Sequence, residues 1–147
     1  MSEHCELRDA QCADWPGIEA LLQAGALPLE GVRAHLENFI VGESSGTLYC
    51  VAGFEFYGQS ALLRSVAVSA SMRGAGVGAR LLEAIKSRAR QRGIVTLYLL
   101  TTSATRFFAQ RGFTCIERSD KPVALQASSQ FQGICPASAT VMVAHLD

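Results

Sequence analysis

A strand, a glycine-rich turn and a helix follow one another directly in the middle of this 147-residue chain. The apolar run at 61–69 predicts a buried strand, glycines occupy every second position of 74–78, and an amphipathic helical pattern continues to position 92. Glycine lets the backbone turn tightly and approach a ligand closely. The first N–H groups of a helix have no partner within the helix and lie at the positive end of its dipole. The stretch therefore predicts an anion site suited to phosphate, with the charge of Arg73 beside it.

Two known phosphate motifs fit this turn poorly. Residues 74–79 loosely match the dinucleotide pattern G-x-G-x-x-G/A, which requires an acidic residue about twenty positions later. The next predicted strand ends instead in Leu-Leu-Thr-Thr at 99–102. A Walker A motif requires Gly-Lys-Ser/Thr, which does not follow these glycines. A turn without any ligand is the simpler alternative, and three glycines with an arginine between a strand and a helix argue against it.

The same residues closely resemble the acetyl-CoA loop of the GCN5-related N-acetyltransferases (GNAT family). That family carries Arg/Gln-x-x-Gly-x-Gly/Ala after a strand with the pattern Leu-x-x-Leu-x-Val. The matching positions are Leu63, Val66 and Val68 in the strand and Arg73, Gly76 and Gly78 in the loop. An aromatic helix closed by Gly-Phe, at 104–113, is similar to the family's second landmark. The resemblance covers nearly the whole chain.

This resemblance implies a fold and a co-substrate. The fold is α/β (α+β), with a mixed, mostly antiparallel twisted sheet of about six to seven strands, flanking helices and a splay between strands 4 and 5. Residues 1–147 would form one such domain, which also agrees with the chain length. Acetyl-CoA would place its pantetheine arm between the splayed strands. The implied cofactor-binding residues are Val66, Ala67, Val68, Arg73, Gly74, Ala75, Gly76, Val77, Gly78, Ala79, Thr101 and Phe108.

Polar residues interrupt the apolar strands where the reactive end of acetyl-CoA would lie. A charge inside a strand is costly to bury alone, so Arg64 either faces a wet cleft or pairs with a carboxylate such as Glu55. Glu55 is also the first candidate for the base that takes a proton from the acceptor ammonium, and Tyr57 is the second. Relatives often carry a tyrosine at the position of Phe108 and an asparagine at that of Thr101. Two familiar side-chain contributions are therefore absent here.

Within the family, residues 61–68, 97–102 and 130–131 with 135–139 look most like acetyltransferases associated with bacterial arsenic-resistance operons. These are related to enzymes that acetylate the α-amine of phosphinothricin-type amino acids. The resemblance implies a small-molecule amine acceptor, amino-acid-like or organoarsenical, with Arg64 as the partner of its carboxylate or oxyanion. The connection 119–138 is long enough to be functional. We expect it to cover the acceptor, with Gln130 and Phe131 facing the ligand and Cys135 packing beneath.

Composition bears on the other classes of function. The formal net charge of +0 predicts no nucleic-acid or membrane partner, and the N-terminus is not a signal peptide, so a cytoplasmic location is expected. The five cysteines show no C-x-x-C spacing, which disfavours a disulfide framework and a metal site. A catalytically degenerate acetyl-CoA-binding regulator and a thiol-based arsenic-binding protein are the alternatives to an enzyme. A homodimer is also left open.

The remaining patterns predict the order of the other elements. We expect a first strand at 6–8, a helix capped by Asp14, a second helix at 29–38, a hairpin at 39–57, a strand at 94–100, a helix at 104–111, a sixth strand at 113–117 and a closing strand at 139–146.

Overall fold

The computed structural model describes residues 6–74, 76–128, 130–131 and 138–146. The strands are β1 (Glu6–Asp9), β2 (Phe39–Ser44), β3 (Thr47–Tyr57), β4 (Ser60–Val68), β5 (Thr96–Thr101), β6 (Thr114–Ile116) and β7 (Thr140–His145). The α-helices are α1 (Trp15–Ala24), α2 (Val77–Gln91) and α3 (Thr105–Ala109). Short 3-10 turns occupy Cys12–Asp14, Arg33–Asn38, Ala70–Met72, Arg118–Asp120 and Val123–Ala127. Within these residues no helix combines the length and apolar character needed to cross a membrane.

All seven strands join in one sheet with the order β1-β2-β3-β4-β5-β7-β6. Five of the neighbouring pairs are antiparallel, and β4 and β5 are parallel. The parallel pairing starts at Ser60 opposite Thr96 and ends at Leu63 opposite Leu99, although both strands continue. The two strands therefore diverge beyond this point. The predicted mixed, mostly antiparallel sheet with a splay between its fourth and fifth strands is confirmed.

Helices and the segment that follows β6 cover the two faces of the sheet. On one face α2 buries the predicted apolar positions Val77, Leu81, Ile85 and Ala89. On the other face α1 packs over β2 and β3, with Ile18 and Leu22 fully buried. Beside it, Leu125 and Phe131 pack on strand residues that include Leu62 and Tyr98. Burying each large apolar side chain stabilises the fold by about 1.5–3 kcal/mol.

Two local predictions near the N-terminus are wrong. Asp14 does not cap α1, because its carboxylate accepts two hydrogen bonds from the guanidinium of Arg8, each 2.8 Å long. A forked pair of this kind is stronger than a bond to a backbone amide. The predicted helix at 29–38 is only a 3-10 turn over Arg33–Asn38, with a kink at His35. Gly31 takes a φ of 84°, so the chain turns there and too few residues follow for an α-helix.

Gly53 in β3 lies where the packing of the sheet leaves no room for a side chain. A Cβ on Gly53 would lie 2.3 Å from the ring of Phe39, which crosses over it. We therefore expect Gly53→Ala to lower the free energy of unfolding by about 2–3 kcal/mol through overpacking, measured by urea denaturation. Gly17→Ala in α1 is the control, since the atoms nearest its Cβ, at 2.9–3.6 Å, all belong to the half-buried side chain of Leu48, which can shift, and alanine favours helix. An equal loss in both variants would contradict this explanation.

Candidate functional site

The diverging strands β4 and β5 open a cleft of about 960 Å³. One side is the end of β4 from Leu63 to Val68 with the adjoining Ser69, and the other is β5 with the turn that leads into α3. The loop after α1 closes one end with Leu27 and Pro28, and Gln130 also lines the wall. Backbone groups of β4 beyond Leu63 have no β5 partner, so an extended ligand can use them as an added strand would.

The glycine turn gives an anion site at the start of α2. Gly76 is the N-cap residue, with a left-handed φ of 78°, and Gly74 has a φ of 84°. Space around both is open, since a Cβ built on either would meet no atom within 4 Å. The side chain of Val77 is buried in the core, so only its backbone N–H is available to a ligand. The structure thus supports an exposed helix N-terminus suited to phosphate.

The neighbouring residues at this end have distinct roles. Arg73 lines the cleft and is exposed, and its Nε donates to the carbonyl oxygen of Val68 at 3.2 Å. A Cβ on Gly78 would lie 3.2 Å from the ring of Phe107, so Gly78 permits close packing of α2 against α3. Ala79 is half-buried in the first turn of α2. Ala75 lies outside the described residues.

The wall facing β4 carries little chemistry of its own. Phe108, which stands where relatives often have a tyrosine, is buried and makes edge-on contacts with Phe107 and Phe113. It lines the cleft but cannot donate a proton. The hydroxyl of Thr101 accepts a hydrogen bond from the Ala104 N–H at 3.0 Å and so fixes the turn into α3. Both residues therefore shape the cleft through packing and backbone geometry.

Arg64 and Glu55 form a buried ion pair beside the cleft. The guanidinium Nη1 donates to Glu55 Oε2 at 2.6 Å, and the two side chains are 0% and 2% exposed. Tyr57 donates its hydroxyl to Glu55 Oε1, also at 2.6 Å. Of the three, Arg64 lines the cleft, whereas Glu55 and Tyr57 are not among the described lining residues. The pairing that the sequence suggested is present, and it engages both carboxylate oxygens.

The environment of this pair sets its protonation. Burial raises the pKa of Glu55, but hydrogen bonds from Tyr57, Ser128 and Arg64 outweigh it and hold the pKa below its usual value. Burial and then the bond to Glu55 raise the pKa of Tyr57 to about 12. Near neutral pH Glu55 is therefore ionised and Tyr57 is protonated. A carboxylate with a lowered pKa and two engaged oxygens is a weak general base.

The lowered pKa of Glu55 makes stability depend on pH. A carboxyl group with a depressed folded pKa stabilises the fold above its ordinary value of 4.5, and this stabilisation is lost as the pH falls below it. We expect the urea midpoint of the native protein to fall between about pH 7 and about pH 3.5, which lie on either side of the ordinary pKa of 4.5. The midpoint of Glu55→Gln should fall less over the same range. Parallel curves for the two proteins would contradict the assignment.

The segment after β6 divides between cleft and core. Gln130 is buried and lines the cleft. Phe131 packs instead in the apolar cluster with Leu125, and the Nζ of Lys121 lies over its ring, 4.9 Å from the ring centroid. Phe131 is thus not among the described lining residues, and its contact with the ligand stays a prediction. Ser128, which is 2% exposed and donates to Glu55, had no signal in the sequence because a loop serine is too common to be informative. Cys135 lies outside the described residues.

The thiols described in the structure do not gather at the cleft. Cys50 is buried in β3, and Cys12 and Cys115 are exposed. Across the described ranges, no group of three or more His, Cys, Asp or Glu side chains could hold a metal ion. Cys5 and Cys135 fall outside those ranges.

Comparison with known proteins adds a family and several relatives. A family model described as an acetyltransferase (GNAT) domain matches residues 35–115. The amino-acid acetyltransferase of Mannheimia succiniciproducens is 32% identical over 126 residues, which is 80% of this chain and 29% of the relative. That of Neisseria meningitidis serogroup A is 33% identical over 125 residues, or 79% of this chain and 29% of the relative. The chain thus spans less than a third of the length of these curated relatives.

Solved structures agree with this fold. N-acetylglutamate synthase from Neisseria gonorrhoeae, complexed with coenzyme A and N-acetyl-glutamate, superposes with a TM-score of 0.84 at 27% identity. The match covers 100% of this chain and 36% of the synthase. A GNAT-family acetyltransferase from Staphylococcus aureus Mu50 gives a TM-score of 0.77 at 14% identity, covering 97% of this chain and 99% of the other, which shows the shared fold alone.

Proposed function

This chain belongs to the GNAT acetyltransferase family, and on that premise we propose that it transfers an acetyl group from acetyl-CoA to the amine of a small molecule. The observation that carries the proposal is the cleft between β4 and β5, which is lined by Arg73, just before the glycine-capped N-terminus of α2, and by Arg64 of the buried ion pair. Such a cleft can hold a long anionic thioester at one end and a second substrate at the other. Most of the acceleration then comes from bringing the two together in one orientation.

Backbone groups supply most of the proposed coenzyme A site. The diphosphate lies at the N–H groups of residues 76–79, with the charge of Arg73 beside it. The pantetheine arm lies along the unpaired edge of Val66, Ala67 and Val68. Thr101 and Phe108 form the opposite wall. Together with Gly74 and Ala75, these are the cofactor-binding residues that the sequence predicts, and they are the set that we propose.

The reaction is proposed to be direct attack in a ternary complex. The acceptor amine attacks the thioester carbonyl, and a backbone N–H near Val66 or Ala67 polarises that carbonyl as negative charge develops. Glu55 and Tyr57 remain the residues predicted to aid loss of the ammonium proton. A water-mediated route is proposed, because neither is among the described residues that line the cleft. Phe108 supplies no proton to the leaving thiolate, so water does this as well.

We propose an amino-acid-like acceptor. The curated relatives are named amino-acid acetyltransferases, and the Neisseria gonorrhoeae structure contains N-acetyl-glutamate. The acceptor end combines apolar Leu27 and Pro28 with the polar residues Arg64 and Gln130. The resemblance to arsenic-operon acetyltransferases makes an organoarsenical or phosphinothricin-type amino acid the more specific proposal, with its oxyanion near Arg64.

Steady-state thiol release from acetyl-CoA tests this function. The acceptor panel contains L-glutamate, a phosphinothricin-type amino acid, an amino-acid organoarsenical and a simple alkylamine. We expect acceptor-dependent thiol release with at least one amino acid, together with a product that is acetylated on nitrogen by mass spectrometry. Coenzyme A binding without turnover of any acceptor would favour the second candidate, a regulator with degenerate catalysis. The observation that favours this alternative is the buried Phe108, which cannot donate a proton to the leaving thiolate.

A further inference from the structure

β4 contains a strained bulge at the acceptor end of the cleft. Val51 of β3 pairs with Ala67, and Gly53 pairs with Arg64, so the single residue between the β3 partners faces two residues of β4. One of these two, Ser65, has a φ of 62°. The left-handed region is unfavourable for a residue other than glycine, because its Cβ lies too close to the following carbonyl oxygen. A serine keeps this conformation inside a strand only where its surroundings hold it there.

The buried ion pair supplies that support. Arg64 Nε donates to the hydroxyl oxygen of Ser65 at 3.1 Å. The same guanidinium is fixed on its other sides by Glu55 at 2.6 Å and by the carbonyl oxygen of Pro28 at 3.3 Å. Glu55 is held in turn by Tyr57. Arg64 therefore joins the bulge to β3 and to the loop after α1, with a side chain that is 0% exposed.

We propose that Arg64 and Glu55 are positioning residues that hold Ser65 in its left-handed conformation and so direct the backbone of Val66 and Ala67 along the cleft. This rests on the proposed function, because those two residues border the site where the thioester carbonyl would react. It assigns the ion pair a role that needs neither a free carboxylate base nor an exposed guanidinium. The observations that carry it are the bulge, the positive φ and the guanidinium fixed on three sides.

Two substitutions of one residue separate this role from others. Ser65→Ala and Ser65→Gly both remove the hydroxyl that Arg64 binds, but only alanine keeps a Cβ in the left-handed region. We expect Ser65→Ala to lower kcat about fivefold or more, with the acceptor KM changed less than about twofold, and Ser65→Gly to keep kcat within about twofold. The matched controls are Ser45→Ala and Ser45→Gly in the β2–β3 turn, where φ is 53°, and both should leave kcat unchanged.

Glycine should also rescue the loss of the carboxylate. We expect Glu55→Gln to lower kcat and the double variant Glu55→Gln/Ser65→Gly to recover at least half of that loss, because a glycine bulge needs no support. If Glu55 acts only as a general base, glycine at position 65 should give no rescue, and Glu55→Gln should change the pH profile of kcat/KM. If Arg64 acts only by binding the acceptor and does not support the bulge, Ser65→Ala and Ser65→Gly should raise the acceptor KM equally. Either result would overturn the proposal.

A measurement without any acceptor keeps this test separate from that of the proposed function. Amide hydrogen exchange of Val66 and Ala67 in the free protein should accelerate in Ser65→Ala and in Tyr57→Phe, and not in Ser65→Gly. If no acceptor is turned over but this pattern is seen, acetyl transfer fails as a function and the support of the bulge stands. Unchanged exchange in folded Ser65→Ala contradicts the support itself.

Discussion

Gly76→Asp is expected to weaken coenzyme A binding by roughly 30- to 150-fold, measured by calorimetric titration. The new carboxylate would stand at the N-terminus of α2, where the diphosphate is proposed to lie, and would repel it. Loss of a charge-assisted contact and its replacement by repulsion correspond to about 2–3 kcal/mol. The position is exposed, so the fold should persist.

Gly46→Asp is the matched control for this substitution. Gly46 has a φ of 80°, close to the 78° of Gly76, and a Cβ on either would meet no atom within 4 Å. The two variants therefore carry the same charge and the same backbone strain, and they differ in their distance from the cleft. Equal affinity of both for coenzyme A would reject the assignment of the glycine turn.

Arg64→Leu is expected to lower the free energy of unfolding by about 3–5 kcal/mol, measured by urea denaturation at neutral pH. The substitution leaves Glu55 ionised and 2% exposed, with no cation beside it. Burying an unpaired charge is far more costly than losing one ion pair. This is the largest loss of stability that we expect from a single substitution near the cleft.

The double variant Glu55→Gln/Arg64→Leu distinguishes charge from packing. Removing both charges should recover at least about 2 kcal/mol of the loss, since no uncompensated charge remains. If the double variant is no more stable than Arg64→Leu, the loss comes from packing around the guanidinium. The electrostatic explanation would then be wrong.

Patterns that are local in the sequence predicted the fold well. The run from β4 through the glycine turn to α2 contains its own hydrophobic periodicity, its turn-forming glycines and its helix start within about thirty residues. Little tertiary context was therefore needed to predict it. The same holds for the β2–β3 hairpin and for the aromatic helix α3. The order of these elements, together with the family pattern, was enough to predict the sheet and its splay.

Features that depend on contacts distant in the sequence were predicted less well. Asp14 looked like a helix cap, but Arg8 competes for its carboxylate. The packing of Phe131 in the apolar cluster with Leu125 had no signal of its own in the sequence. The pairing of Arg64 with Glu55 was foreseen as one of two options, because a charge inside a strand is costly to bury alone. The positive φ of Ser65 had no signal, since it arises from the register of β3 against β4.

Coenzyme A binding between β4 and β5 is tested most directly by titration of the isotope-labelled protein with coenzyme A, followed by its amide resonances. We predict saturable shifts that are largest for Val66–Val68 and for Val77–Ala79, with the turn at Gly46 unaffected. Saturable binding that leaves both of these segments unchanged, or no binding to the folded protein, would contradict the proposed site.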